Sequence, residues 1–177
     1  GALAYYAVGF GLQFGGLNYT FPAINGYDAW AFSPVTLGDW TGVLDKPLLI
    51  GNSSIMGLTG FFMSGVSANI GVLVFFYFQM VFMDTAVTIV TGSMCERWSW
   101  KNFCLFALWV ALPYSLFANW VWGGGWIGTK LGVLDFAGGA VVHINAGIAA
   151  LVGCLLVGKR VGYGKEHLAP HSLVMTM

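Results

Sequence analysis

Charge is what this sequence has least of: Asp, Glu, Lys and Arg make up 8% of its 177 residues, against about a quarter in an ordinary soluble domain. With 58% hydrophobic residues and a mean hydropathy of +0.77, a water-soluble globule is excluded. Neither sign is in surplus, since seven basic residues balance seven acidic ones. Nothing here would neutralise a phosphate backbone, and nucleic-acid binding is excluded with it. Cysteine is scarce as well. Cys95, Cys104 and Cys154 form no CxxC pair, which leaves neither a disulfide framework nor a zinc site; they read as small buried hydrophobes. A nucleophile–base pair, a metal-ligand cluster and a phosphate-cradling glycine loop are also missing, so neither an enzyme nor a cofactor is expected. No internal repeat or low-complexity tract appears.

What the chain does have is long runs without charge. Pro47 to Met83, Asn102 to Thr129 and Phe136 to Gly158 contain no Asp, Glu, Lys or Arg, and each exceeds the roughly 20 residues that cross a bilayer. The reading is an all-α integral membrane protein with transmembrane helices over 69–95, 102–122 and 135–158. The apolar piece 1–15 is shorter than a span and has neither an initiating methionine nor the flanks of a signal peptide. It reads as the cut end of a helix, and the chain as a segment of something larger. Residues 16–54, rich in Gly, Asn, Pro and Trp, read as an irregular loop. The apolar stretch Ile55 to Ala68, broken by glycine and serine, reads either as an interfacial helix or as an early entry into the next span.

Basic residues set the expected sidedness. Arg97 and Lys101 lie in 96–101, and Lys159, Arg160 and Lys165 in 159–177, which the positive-inside tendency places in the cytoplasm. The loop 16–54, with Lys46, Asp28, Asp39 and Asp45, falls outside. Two crossings separate the two cytoplasmic stretches, so the topology closes.

Ionisable groups inside the membrane are costly and draw attention to function. Asp84, Asp135 and His143 are the three. Asp135 opens the third expected span, where a carboxylate can accept hydrogen bonds from free backbone amides; it reads as a structural cap, or as one whose field also favours a cation. His143, eight residues on, is expected about 12 Å deeper at helical rise. Spacing alone allows either an imidazole bonded to a neighbouring helix or one that lines a pore. Gly139 and Gly147, four residues to either side, would permit close helix approach or leave room for a narrow passage. Asp84, two residues past Phe82, is turned about 200° from it, toward a neighbouring helix or subunit.

Aromatic residues form the other concentrations. Trp120, Trp122 and Trp126 surround Gly123-Gly124-Gly125; they read as interfacial anchors or as rings whose faces take a small cation. Phe75, Phe78, Phe82, Ala86 and Ile89 share one helix face, a pattern more typical of packing than of a binding box.

These residues together carry a family resemblance. Asp135-Phe-Ala-Gly-Gly-Ala-Val-Val-His143-Ile-Asn-Ala-Gly resembles the fifth-helix stretch of the ammonium transporter (Amt/Mep/Rh) family in its bacterial and archaeal Amt form. Trp122-Gly-Gly-Gly is similar to that family's outer-vestibule motif, Phe78-Gln-Met-Val-Phe82 to its third-helix FQxxF, and Glu96-Arg97 to the end of that helix. Gly158-Lys-Arg-Val-Gly-Tyr-Gly-Lys-Glu with Pro170-His-Ser resembles the connection to the sixth helix. The resemblance covers about 71–172, and more loosely 1–15.

It implies an eleven-helix, inverted-repeat bundle in a homotrimer, of which this chain holds most of the first half. It implies an outer ammonium site at Trp122 and Phe82 stabilised by Asp135, a gate at Phe78 and Phe82, and His143 as the first of two pore histidines. Ammonium would be recruited at the aromatic site and deprotonated, and ammonia passed along a hydrophobic pore. The implied partners are ammonium or ammonia, membrane lipid, further copies of the chain and a cytoplasmic trimeric nitrogen-regulatory protein. Two other readings stand beside this one: a sensor with the same outer site coupled to a C-terminal signalling domain, and a gas channel of the Rh branch, against which the GGxVVH form of the motif argues. The second pore histidine lies outside this sequence, because His167 and His171 fall in the cytoplasmic connection. As it stands, the chain is not expected to conduct.

Overall fold

The structure, a computed structural model, describes residues 1–20, 44–66, 70–166 and 172–176. Asp28, Asp39, His167 and His171 lie outside the described residues, as does most of the loop expected over 16–54. In chain order the helices are α1 (Ala2–Phe14), α2 (Leu17–Thr20), α3 (Ile70–Ser93), α4 (Trp100–Trp122), α5 (Trp126–Thr129), α6 (Gly139–Val157) and α7 (Leu173–Thr176), with strands β1 (Pro47–Ile50) and β2 (Ser53–Gly57) between α2 and α3.

Three of these helices, α3, α4 and α6, are long and apolar enough to cross a membrane. A helix satisfies its own backbone hydrogen bonds, and that is what lets a continuous apolar run lie in lipid. The hydroxyls that α3 carries are absorbed in the same way. Thr85, Thr88 and Thr91 donate to the carbonyls four residues back, at 2.7, 3.0 and 2.9 Å. Ser99 caps α4 by accepting from the Asn102 amide at 3.3 Å. Further along, α4 breaks at Val110 into Trp100–Trp109 and Ala111–Trp122. Pro113 explains the break: it has no amide for the Trp109 carbonyl, and its ring crowds that carbonyl.

The region expected to be irregular or helical contains a hairpin instead. Strands β1 and β2 pair antiparallel from Pro47↔Gly57 to Ile50↔Ser53. Gly51, at φ +62°, opens the two-residue turn with Asn52, the position where a tight hairpin demands glycine. Over its described residues, 55–66, the stretch Ile55 to Ala68 is therefore neither an interfacial helix nor an early span. It is the second strand, followed by a single 3-10 turn at Phe61–Met63, with residues 67–69 outside the described set. The β-branched and aliphatic residues of PLLI and SSIM suit a pleated surface, and packing against helix ends protects the hairpin. Gly57 lies directly on α1, where a Cβ would come within 2.2 Å of the Gly11 carbonyl oxygen.

The core lies where α1, α3 and α4 meet. Tyr5, Phe10, Phe14, Phe75, Met83, Tyr114 and Ala118 are buried there, with Phe14 and Phe75 edge to face at 4.6 Å between centroids. The five-residue aromatic and aliphatic stripe on α3 is thus divided in use. Phe75 packs into this core, while Phe82 turns to Trp122 of α4 and Phe78 packs on Phe82. Helix α6 packs on α3, and the Met94 side chain, just past the end of α3, lies against Gly153. Gly147 has nothing within 4 Å of a built Cβ, so the close approach allowed by sequence spacing is not made there. Cysteine also departs from expectation: Cys95 is exposed, and Cys104 and Cys154 are half-buried.

The two basic stretches meet at one end of the molecule. Arg97 Nη1 donates to the Gly158 carbonyl at 2.6 Å, Arg97 Nη2 to the Ser93 carbonyl, and Arg160 pairs with Glu96 at 3.1 Å. One guanidinium therefore caps the C-terminal ends of α3 and α6 together, where the helix dipole favours a cation.

Candidate functional site

The site grows from the C-terminal end of α4. Trp122 is the last residue of that helix and is 7% exposed. Its indole ring meets Phe82 of α3 in a T-shaped contact, 5.6 Å between centroids at 74°, and Phe82 in turn meets Phe78 at 5.0 Å and 76°. Edge-to-face geometry sets the positive rim of one ring against the negative face of the next. The three aromatic residues singled out by sequence are thus one continuous stack bridging α3 and α4.

Asp135 joins this stack through its backbone. The Trp122 indole N–H donates to the Asp135 carbonyl at 2.7 Å. The side chain turns the other way: Oδ1 accepts from the Gly138 amide at 3.0 Å, and Oδ2 from the amides of Ala140 and Val141 at 3.0 and 2.8 Å. The capping expected of this carboxylate is present, but Asp135 does not open the helix. Helix α6 starts at Gly139, after bends at 136–138, because the carboxylate draws three amides of the first turn back onto itself. Gly138, at φ +87°, makes that reversal possible with a backbone conformation that other residues rarely adopt.

His143 is placed by the same turn. Its amide donates to the Gly138 carbonyl at 3.0 Å, and its Nδ1 lies 3.2 Å from that oxygen. The first turn of α6, Gly139–Ile144, is wound as a π-helix, a form found frequently at functional sites. Counting 12 Å of helical rise from Asp135 therefore does not apply, since only the residues from Gly139 onward climb a helix. The bond of His143 is to its own segment and not to a neighbouring helix, and the ring lies on an exposed face shared with Gly139 and Gly147. Asp84 is half-buried at the start of α1, where a Cβ on Gly1 would run into its carboxylate.

Polar residues outside the sequence-derived set join the helices that carry the stack. Tyr5 donates to Gln13 at 2.7 Å, Gln13 Nε2 reaches Gln79 at 3.5 Å, and Asn119 Nδ2 donates to the Gln13 carbonyl at 2.7 Å. All four side chains are buried, so these amides and the phenol tie α1, α3 and α4 together. Amides inside charge-free runs were the available signal, because polar groups at that depth are rarely left without a partner.

Three apolar spans, with an aromatic stack at one helix end and a carboxylate folded over the start of the next, define part of an α-helical membrane protein. The chain matches the Ammonium Transporter Family over residues 1–177, and it belongs to that family. Ammonium transporter Amt1 of Archaeoglobus fulgidus is 44% identical over 124 residues, 70% of this chain and 31% of the relative. The ammonium transporter of Bacillus subtilis is 45% identical over 136 residues, 71% of this chain and 32% of the relative. Amt2 of Archaeoglobus fulgidus is 33% identical over 172 residues, 92% of this chain and 30% of the relative. The chain thus spans about a third of the length of these curated relatives. No solved structure matches it significantly.

Proposed function

We propose that the whole protein moves ammonium across a membrane, with this segment supplying the outer ammonium site and one wall of the pore. The observation that carries this reading is the Phe82–Trp122 contact at 5.6 Å, with the Trp122 N–H held at 2.7 Å by Asp135. An unpaired cation loses many kcal/mol of hydration on entering an apolar interior. Ring faces return about 1–2 kcal/mol when partly desolvated, and the Asp135 carboxylate adds a nearby negative charge. Both favour ammonium at the mouth and neither would follow it inward.

Past Phe82 and Phe78, which form the gate in this reading, the neutral species is favoured, because ammonia crosses a dry passage at far smaller cost than ammonium. His143 stands on a face cleared by Gly139 and Gly147, where its imidazole gives ammonia a hydrogen-bonding partner and a route for the proton. The whole protein in this reading is a homotrimer in lipid. Its 96–101 and 159–177 stretches face the cytoplasm, where a trimeric nitrogen-regulatory protein docks.

The test is the current that follows an ammonium jump on proteoliposomes of the full-length protein, compared with His143→Ala and Trp122→Ala. A saturable current lost in both variants is expected. Ammonium binding at the outer site without current would favour the sensor or an electroneutral ammonia channel.

A further inference from the structure

We propose that the β1–β2 hairpin is a positioning device for Trp122, acting through Trp120 and Gly124, and that it thereby sets the affinity of the outer site. The argument rests on the reading of Trp122 as part of an ammonium site. Strand β2 holds the chain on both sides of that tryptophan without bonding its side chain. Before it, the Trp120 indole N–H donates to the Ile55 carbonyl at 3.0 Å. After it, the Ser54 amide donates to the Gly124 carbonyl at 3.1 Å, and Ser54 pairs with Gly125 in a parallel bridge.

The irregularity of the hairpin is what makes the first bond available. Its register passes from Leu48↔Met56 to Leu49↔Ser54, so Ile55 is an extra residue without a partner on β1. A bulge of this kind re-aims backbone and side chain away from the ladder, and here the Ile55 carbonyl goes to Trp120. The second attachment depends on glycine. A Cβ at Gly125 would lie 2.3 Å from Trp120 Cα and 2.9 Å from the Ser54 carbonyl oxygen, so the turn after Trp122 folds back on Trp120 and against the strand at once. With the chain gripped through the Trp120 side chain and through the backbone at 124–125, the Trp122 ring has little freedom to leave either Phe82 or the Asp135 carbonyl.

Trp120→Phe in the full-length protein removes the indole N–H and keeps an aromatic ring beside Phe117 and Trp126. The expected result is an ammonium concentration for half-maximal current raised about fivefold, the ratio one ordinary hydrogen bond commands, with maximal current within about twofold of wild type. In protein carrying 15N-labelled tryptophan, the Trp122 indole resonance should shift or broaden. Trp109→Phe, an exposed position on α4, should change neither. An unchanged half-saturation, a loss of maximal current at unchanged half-saturation, or an unmoved Trp122 resonance overturns the proposal. If the wild type itself gives no ammonium-dependent current, the transport reading fails, and the Trp122 resonance alone decides whether the hairpin positions that ring.

Discussion

Asp135 illustrates how one residue can serve a site through two different atoms. Its carboxylate is committed to the amides of Gly138, Ala140 and Val141, and its carbonyl holds Trp122. Hydrogen bonds to a charged group contribute about 1.5–3 kcal/mol each, and three that share one side chain are lost together. Asp135→Ala in the full-length protein is therefore expected to be destabilised by about 3 kcal/mol or more. Asp135→Asn, which keeps one acceptor oxygen, should be destabilised by about half as much. Thermal unfolding in detergent, followed by tryptophan fluorescence, orders the three proteins, and equal melting temperatures for the alanine variant and wild type would remove the capping role. Gly138 invites a companion substitution. With φ at +87° and a built Cβ 2.7 Å from Val142 Cγ2, Gly138→Ala should cost about 1–2 kcal/mol for the left-handed backbone alone, with the same assay deciding.

At the scale of elements, the sequence was clearest where one force dominates. Runs without charge locate α3, α4 and α6 because a helix satisfies all its backbone hydrogen bonds within one continuous apolar segment. Ends and breaks were harder to read, since they depend on individual contacts. The start of α6 shifts from Asp135 to Gly139 because a carboxylate competes for the first amides, and the hairpin at 47–57 owes its stability to Gly11, Gly124 and Trp120, all distant in sequence. The residues of the candidate site were legible, whereas their connections through Gly138, Gln13 and Asn119 were not. Arg97 lends itself to an element-scale prediction. Its two terminal nitrogens reach Ser93 and Gly158, the ends of α3 and α6, a span that a single ammonium group cannot bridge. Arg97→Lys should therefore lower the melting temperature of the full-length protein nearly as far as Arg97→Ala. A lysine variant as stable as wild type would show that charge at this helix end matters and the fork does not.

For the whole molecule, the feature that organises everything else is the face of α6 that this segment leaves open. His143, Gly139 and Gly147 are exposed together, and Ile144, Ile148, Leu151 and Leu155 beside them are 57–75% exposed. No described element lies over that face. A passage for ammonia has to be dry on every side, since water admitted along one wall would restore the charged species. The 177-residue segment reconstituted alone is accordingly expected to give no ammonium-dependent current, under conditions where the full-length protein gives a saturable one. Sidedness can be checked on the same preparation, because exposed Cys95 belongs to the basic end, near the Arg97 clamp, and the Gly51–Asn52 turn to the hairpin that meets Gly124. In right-side-out vesicles a membrane-impermeant maleimide should leave Cys95 unmodified until the membrane is opened. It should label Asn52→Cys, made in a protein without other cysteines, from outside at once. Reaction of both thiols from the same side would contradict a single crossing by α3 between the hairpin and the basic end, and with it the placement of the Trp122 stack at the outer mouth.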